Sequence, residues 1–151
     1  IGEAFGGGYY IGDITVGADT YAIIMAGPPG VAESLMWKTS RTATTGTDSL
    51  VDGLANTAAM VLAGDHPAAD YCDGYAGGGY GDWYLPAKDE LNLAWTNRSS
   101  LGSLSMGSSY YWASTESSLS RSWAQYFASG AQSNYYKNQP YYVRPVRRLL
   151  K

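Results

Sequence analysis

The hydrophobic pattern of this chain changes from helical spacing to alternation near residue 108, and the change limits the possible folds. Between residues 49 and 98 apolar residues recur at helical spacing, whereas from Ser108 onward apolar and polar residues alternate. Helices followed by an antiparallel meander favour an α+β domain. A chain of 151 residues can bury a core without a disulfide or a metal. We therefore predict a single domain over residues 1–151, and Ile1 suggests that it is the C-terminal part of a longer protein.

Helices are predicted over residues 49–63 and 86–98, with a short helical extension over 67–75 between them. The first helix is expected to begin at a Ser or Asp cap and to end at Gly64, and the last has Pro86 in its opening turn. The residues expected to be buried are Leu50, Leu54, Ala58, Val61 and Leu62 on the first helix, and Leu91, Ala94 and Trp95 on the last.

Strands are predicted at both ends of the chain. Residues 9–14 and 20–25 flank a Gly/Asp turn and predict a hairpin, and a short strand is expected around 35–39. Four further strands are predicted over 110–114, 122–128, 131–136 and 141–149. In the last of them Pro145 interrupts the alternation, so we expect a β-bulge there.

Charge is divided unevenly along the chain. Residues 1–90 carry 12 acidic and 3 basic residues, whereas residues 91–151 carry one acidic and seven basic residues. We expect the halves to neutralise each other rather than to bind nucleic acid, because the basic residues are dispersed among apolar ones. The single late acid, Glu116, is expected to pair with Arg144 or Arg147. No apolar run approaches the roughly 20 residues of a membrane span, so no membrane insertion is expected.

Residue types that build catalytic centres are scarce. His66 is the only histidine and Cys72 the only cysteine, so neither a zinc cluster nor a Ser-His-Asp triad is indicated. The runs Gly6–Gly8 and Gly77–Gly79 lack the Lys-Ser/Thr of a phosphate loop and are predicted as loops. Two aspartates flanking the second run are too few for calcium. We therefore expect no enzyme activity, no cofactor and no metal.

The stretch from residue 108 to residue 142 has the composition of a binding surface. Of its 35 residues, nine are Ser, seven Tyr, two Asn and one Gly. Antibody loops use this palette because Tyr offers a large, rigid contact and Ser and Asn offer adaptable hydrogen bonds. An ordinary solvent-facing sheet would carry Lys, Glu and Thr instead. The tyrosines that stand in their place are Tyr110, Tyr126, Tyr135, Tyr136 and Tyr141.

Four motifs follow one another along the chain. They are DWYLPAKDEL at 82–91, YWASTE at 111–116, WAQYF at 123–127 and YVRPVR at 142–147. Their order and spacing resemble the DUF1566 (Lcl C-terminal) family over nearly the whole chain. The resemblance implies a C-type-lectin-like fold and a ligand-binding tip without catalysis. Such domains cap phage tail fibres and bacterial adhesins, and close relatives are the variable proteins of diversity-generating retroelements.

The resemblance also divides the later residues into scaffold and ligand-facing positions. The scaffold positions it implies are Trp112, Trp123, Phe127, Val143, Arg144, Val146 and Arg147. The ligand-facing positions it implies are Tyr110, Ser117, Ser118, Ser120, Arg121, Gln125, Gln132, Asn134, Tyr136, Gln139 and Tyr141. The calcium-lectin triplet is missing, because Gln139-Pro140 is followed by Tyr141. We therefore do not expect calcium-dependent sugar binding.

The function expected from this resemblance is a receptor-binding domain, located at a phage tail-fibre tip or another extracellular surface. It would recognise a host cell-surface glycan or protein. A retroelement-diversified variable protein and a structural cap that trimerises a fibre remain alternatives. The first of these is disfavoured, because adenine-directed changes in Asn codons cannot produce the glutamines found at three expected variable positions, Gln125, Gln132 and Gln139.

Overall fold

The computed structural model describes residues 1–151, the side chain of Glu33 excepted. In this described part the chain forms three α-helices and nine strands, which confirms the predicted α+β class. The helices are α1 (Gly53–Ala63), α2 (Pro67–Asp73) and α3 (Lys88–Thr96). The strands are β1 (Ala4–Phe5), β2 (Gly8–Val16), β3 (Asp19–Met25), β4 (Ala32–Leu35), β5 (Tyr110–Glu116), β6 (Arg121–Tyr126), β7 (Gln132–Tyr136), β8 (Tyr141–Val143) and β9 (Val146–Leu150).

The strands form two sheets. Sheet A has the order β1-β2-β3-β9, and sheet B has the order β4-β8-β5-β6-β7. The predicted first hairpin is confirmed as β2 and β3, which pair antiparallel. Most other neighbours are also antiparallel, but β5 and β8 run parallel. The chain therefore starts in one sheet, builds the second, and returns to the first through its last strand.

The prediction of one strand over 141–149 with a bulge is wrong. The chain leaves sheet B after Val143 and enters sheet A at Val146, so Pro145 lies between β8 and β9. Proline has no backbone N–H to donate to a ladder, which makes it a natural point of departure from a sheet. Its carbonyl oxygen accepts a hydrogen bond of 2.9 Å from the amide of Ala26 beyond the end of β3.

The short strand predicted around 35–39 lies earlier, in β4. The amides of Trp37 and Lys38 both donate to the carbonyl oxygen of Lys137, at 2.9 and 3.1 Å, instead of joining a strand ladder. The Trp37 indole N–H donates to Ala113 at 3.0 Å. These bonds fix a loop against the end of sheet B.

Helix α1 has the predicted ends but not the predicted buried face. Asp52 caps it by accepting from the Ala55 amide at 3.0 Å. Most of the predicted apolar stripe is instead exposed, with Leu62 90% exposed, and only Val61 is partly buried against the core. The buried side includes Asn56 and Thr57, whose side chains bond to backbone groups of neighbouring segments. Those buried hydrogen bonds determine which face of α1 points inward. Hydrophobic spacing carries no information about them.

Helix α3 begins two residues after Pro86, and its buried residues Leu91 and Ala94 are as predicted, with Trp95 half-buried. The sequence did not indicate that Glu90 is fully buried as well. Its carboxylate accepts a hydrogen bond of 2.8 Å from the Ala87 amide at the start of the helix.

Sheet B lies between two apolar clusters. One cluster joins sheet A and α3 to one face of sheet B, and includes Ile11, Leu91 and Tyr111. The other joins α1 and α2 to the opposite face, and includes Met60 and Trp112. Both faces of sheet B are thus partly covered. Its accessible side chains lie on the parts of each face that the helices and sheet A do not cover.

Candidate ligand-binding surface

Four tyrosines from four strands of sheet B pack together and stay half-exposed. We call them the tyrosine platform, and they are Tyr110, Tyr126, Tyr135 and Tyr141. The ring of Tyr110 is central, with its centroid 4.4 Å from Tyr126, 5.3 Å from Tyr141 and 5.4 Å from Tyr135. Aromatic pairs at such separations contribute about 0.5–1.5 kcal/mol each beyond burial. The rings therefore hold one another in a preformed surface.

The platform packs against the core through Tyr141. The ring of Tyr141 lies 4.8 Å from that of the fully buried Trp112, whose indole N–H donates to Leu35 at 2.9 Å. Burial raises the pKa values of Tyr135 and Tyr141 above their ordinary range, so both phenols stay protonated at neutral pH. Beside them is an open cleft of about 410 Å³, lined by Ser34, Ser109, Tyr110, Pro140, Tyr141 and Tyr142.

A second group of polar side chains surrounds Tyr136, which is 37% exposed. The guanidinium carbons of Arg41 and Arg121 lie 3.7 and 4.4 Å from the centroid of its ring. Arg41 donates to Asn138 at 3.1 Å, and Arg121 donates to Asn134 at 3.4 Å. We call these five residues the Tyr136 cluster. A hydrogen bond from Arg121, followed by the charges of both arginines, lowers the pKa of Tyr136.

The structure divides the predicted ligand-facing residues among separate places instead of one surface. Strand alternation is the cause, because successive residues of β7 point to opposite faces of the sheet. Those on the platform are Tyr110 and Tyr141. Those in the Tyr136 cluster are Arg121, Asn134 and Tyr136. Those in loops at the ends of β5 and β7 are Ser117, Ser118, Ser120 and Gln139, of which Ser117 and Ser118 are exposed.

The prediction that Gln125 faces a ligand is wrong. Gln125 is fully buried, and its amide donates to Asn92 at 2.8 Å and to the Gly130 carbonyl at 3.1 Å. Gln132 is half-buried beside it and donates to the carbonyl oxygen of Lys88 at 2.8 Å. Both glutamines lie on the face of sheet B that α3 covers, where they tie the sheet to the helix.

The predicted partner of Glu116 is also wrong. Glu116 forms an ion pair with Lys137, whose side chain is fully buried, and neither Arg144 nor Arg147 is its partner. Its carboxylate also accepts from the Thr44 amide at 2.9 Å. The reason is topological: Lys137 directly follows β7 and folds inward, so it reaches the end of β5 where Glu116 lies.

The two arginines of the last motif have other partners. Arg144 donates to the Leu104 carbonyl oxygen at 2.5 Å, and Arg147 binds both carboxylate oxygens of Asp82, at 2.7 and 2.8 Å. The arginine lowers the pKa of Asp82. Of the implied scaffold residues, six are buried and Trp123 is half-buried. They therefore occupy positions suited to a scaffold.

The residues considered for catalysis are buried. The His66 ring nitrogens contact the Thr44 hydroxyl at 2.8 Å and the Gly64 carbonyl at 2.6 Å, and burial lowers its pKa. Burial raises the pKa of the fully buried Cys72 thiol. Within the described side chains, no group of three metal-ligating residues occurs. No helix in the described chain has the length and apolar character needed to cross a bilayer.

The two glycine runs meet and form a cleft. Gly6–Gly8 together with Gly77 and Gly78 border a space of about 650 Å³, whose lining also includes Phe5, Tyr9 and Tyr75. A Cβ atom on Gly78 would collide with the backbone of Gly7, so glycine is required for this approach. The sequence predicted both runs as loops, but Gly8 already belongs to β2, and nothing in the spacing indicated that the runs touch.

Sequence reasoning did not place Arg41, Tyr126 or Tyr135 among the ligand-facing residues. The tyrosines carried a usable signal, because both belong to the Tyr-rich composition noted above. Arg41 carried none. Its side-chain partner Asn138 is 97 positions away, and only the folded loops bring the two together.

A family model described as the Lcl C-terminal domain matches residues 31–147. The match spans more than three quarters of the chain and includes the platform and the Tyr136 cluster. It confirms the resemblance drawn from the four motifs. A comparison with curated proteins gave no match.

Proposed function

The chain belongs to the Lcl C-terminal domain family, and on this basis we propose that it is a receptor-binding domain of a surface protein. The parent protein would be a phage tail fibre or an adhesin, and the ligand a glycan or protein on a host cell. Family membership supports a surface or adhesin-like role, and the tyrosine platform supports binding as the activity. We propose no catalytic role, since the histidine and the cysteine are both buried away from any cleft described above.

The observation that carries the proposal is the mutual packing of four half-exposed tyrosines over a buried tryptophan. Side chains already held in one arrangement lose little conformational entropy when a ligand covers them. Phenol rings stack on sugar rings or on apolar side chains, and their hydroxyls accept or donate hydrogen bonds. Such a surface has both the apolar area and the polar groups that recognition requires.

We expect the double variant Tyr126→Ala, Tyr135→Ala to lose ligand binding. The double substitution removes two accessible rings of the platform, and it leaves the contact between the rings of Tyr141 and Trp112 in place. Binding is measured on a glycan array, a cell-surface protein array and a panel of bacterial strains. Hot-spot aromatic truncations cost about 2 kcal/mol or more, so a loss of at least about 30-fold is expected.

The matched control is Tyr80→Ala, because Tyr80 is 41% exposed and lies outside the platform. Thermal unfolding checks that each variant is folded. Equal binding by the folded double variant and the wild type would remove the platform from the proposal. If strain adhesion were also unchanged, the structural fibre cap would be favoured, and sedimentation would then be expected to show a trimer.

A further inference from the structure

Strand β7 is an open edge of sheet B. It comes last in the order β4-β8-β5-β6-β7, and in the described chain it pairs only with β6. Its five residues, Gln132–Tyr136, pair with β6 without a register shift. The strand contains no proline and no charged residue, and the lysine that follows it, Lys137, is fully buried. The features that usually keep a strand edge from pairing with another chain are lysine, proline and bulges, and β7 has none of them.

The other sheet edges are protected. β1 has only two residues, and the pairing of β4 with β8 contains a register shift. The edge of β9 is covered at its start by Tyr84. The Tyr84 amide donates to the Val146 carbonyl oxygen at 2.7 Å, and the Tyr84 carbonyl oxygen accepts from the Val146 amide at 2.9 Å. Among the described strands, β7 is therefore the edge best suited to receive another strand.

The hydrogen bonds between β6 and β7 show which backbone groups of β7 face outward. The Tyr126 amide donates to the Ala131 carbonyl oxygen at 2.9 Å, and the Lys137 amide donates to the Ser120 carbonyl oxygen at 3.1 Å. Hydrogen-bonded pairs recur at every second residue of an antiparallel ladder, and both pairs fit one such series. The odd-numbered residues from 131 to 137 therefore direct their backbone groups to β6, and the even-numbered residues between them direct theirs away from it.

The outward backbone groups in the middle of β7 are unused. No described group outside the β6–β7 ladder bonds to the amide or the carbonyl oxygen of Gln132 or Asn134. At the end of the strand the Tyr136 carbonyl oxygen is already occupied, because it accepts from the Gln139 amide at 3.1 Å. Backbone amides and carbonyl groups form hydrogen bonds wherever a partner strand can reach them. Gln132 and Asn134 thus offer both a donor and an acceptor to a strand laid beside β7.

We propose that β7 pairs antiparallel with β7 of a second copy of this chain, about a two-fold axis at Ser133. In this register Gln132 of each copy lies opposite Asn134 of the other, and each of these pairs exchanges its amide and carbonyl hydrogen bonds. A strand paired with its own copy in this way forms the isologous contact of a two-fold dimer. The inference goes beyond the proposed function, because it assigns a partner to the domain whatever ligand the platform binds.

The side chains along the edge fit a second copy. Ser133 is exposed and faces itself across the axis, where Cα atoms of a non-hydrogen-bonded pair lie about 4.5 Å apart and a small side chain is needed. Tyr135 lies opposite Ala131 of the second copy, so no two rings collide. Tyr136 lies opposite Gly130 of the second copy, so the two Tyr136 clusters stay at opposite ends of the contact. Residues 129–136 carry no charge, so no like charges meet.

The pairing has a consequence for the platform. Antiparallel pairing about a two-fold axis perpendicular to the sheet keeps the same face of both sheets on the same side. Tyr135 belongs both to the platform and to the pairing strand. The two platforms would therefore lie side by side on one continuous sheet, and a ligand with repeated epitopes could engage both of them.

Sedimentation velocity of the whole chain, from micromolar to millimolar concentration, tests the pairing. We expect the wild type to form a dimer as concentration rises. Asn134→Pro removes the outward amide of each copy and leaves the ladder to β6 intact, so it should raise the dimer dissociation constant about 30-fold, as for two lost hydrogen bonds. Asn134→Ala is the matched control. It also loses the hydrogen bond from Arg121, but it keeps the amide and should dimerise as the wild type does.

A second pair of variants needs no proline. Ser133→Lys and Ser133→Glu should each be monomeric, because like charges would face each other across the axis, and an equimolar mixture should form a heterodimer. Thermal unfolding checks that every variant is folded. A wild type that stays monomeric at millimolar concentration would overturn the inference. A dimer or trimer that persists unchanged in Asn134→Pro and in Ser133→Lys would overturn it as well, because the contact would then lie elsewhere.

Discussion

Replacing Glu116 by Ala is expected to lower the free energy of unfolding by about 3–5 kcal/mol, the range seen when one member of a buried ion pair is removed. The partner Lys137 is fully buried, and its ammonium donates to Glu116 and, at 2.9 Å, to the Thr42 carbonyl. Without the carboxylate, a buried charge keeps only that carbonyl and the Trp37 ring, whose centroid is 4.6 Å away. Urea unfolding monitored by tryptophan fluorescence measures the change.

The double variant Glu116→Ala, Lys137→Met is the control for this effect. It removes both charges and keeps an apolar chain of similar length in the buried position, so it should be more stable than Glu116→Ala despite carrying one more substitution. If Glu116→Ala lost less than about 1 kcal/mol, the pair would behave as an exposed surface ion pair, and the burial of Lys137 would be contradicted.

The second large effect is a dependence of stability on pH that comes from Glu90. Burial raises the pKa of this carboxyl from 4.5 to about 7 in the folded protein. The native state therefore keeps a proton between pH 4.5 and 7 that the unfolded chain has already lost. Below pH 4.5 this difference contributes about 3 kcal/mol to the free energy of unfolding. The contribution falls as the pH rises from 4.5 to 7 and is absent above pH 7.

Glu90→Gln tests this dependence. The amide oxygen can accept from the amides of Ala87 and Gly53, as the carboxylate does, and the amide nitrogen can donate to the Tyr84 hydroxyl. His66 acts in the opposite direction because its pKa is lowered. The informative quantity is therefore the wild-type unfolding profile minus that of the variant, measured from pH 4 to pH 8. A flat difference would contradict the raised pKa of Glu90.

Local sequence patterns predicted where helices and strands lie better than they predicted which face of each one is buried. The ends of α1, the first hairpin and the strands after residue 108 follow from caps, turns and alternation. The buried face of α1 does not, because Asn56 and Thr57 are buried through hydrogen bonds to the distant Ser114 hydroxyl and Leu85 carbonyl oxygen. Pro145 was correctly singled out, but which sheet receives the next strand depends on contacts with β3 that sequence spacing does not reveal.

The sequence predicted which residue types form the candidate site, but it predicted only some of the residues that lie there. Tyrosines of the late strands do form an accessible surface, and their stacking follows from strand pairing that the sequence suggested. Gln125 is buried because α3 covers its face of sheet B, a packing choice made by the whole fold. Arg41 joins the site through a loop whose place is set by Trp37 and Lys137, far apart in sequence.

The most direct test of the platform is laser polarisation of tyrosine rings by a flavin dye, read by NMR, with the ligand that binds most tightly on the arrays. The dye polarises only rings it can touch. The rings of Tyr126 and Tyr135 should be polarised in the free domain and lose their signal at saturation, while buried Tyr84 gives none in either state. Platform signals that persist unchanged when the ligand saturates the domain would contradict a binding role for these four rings.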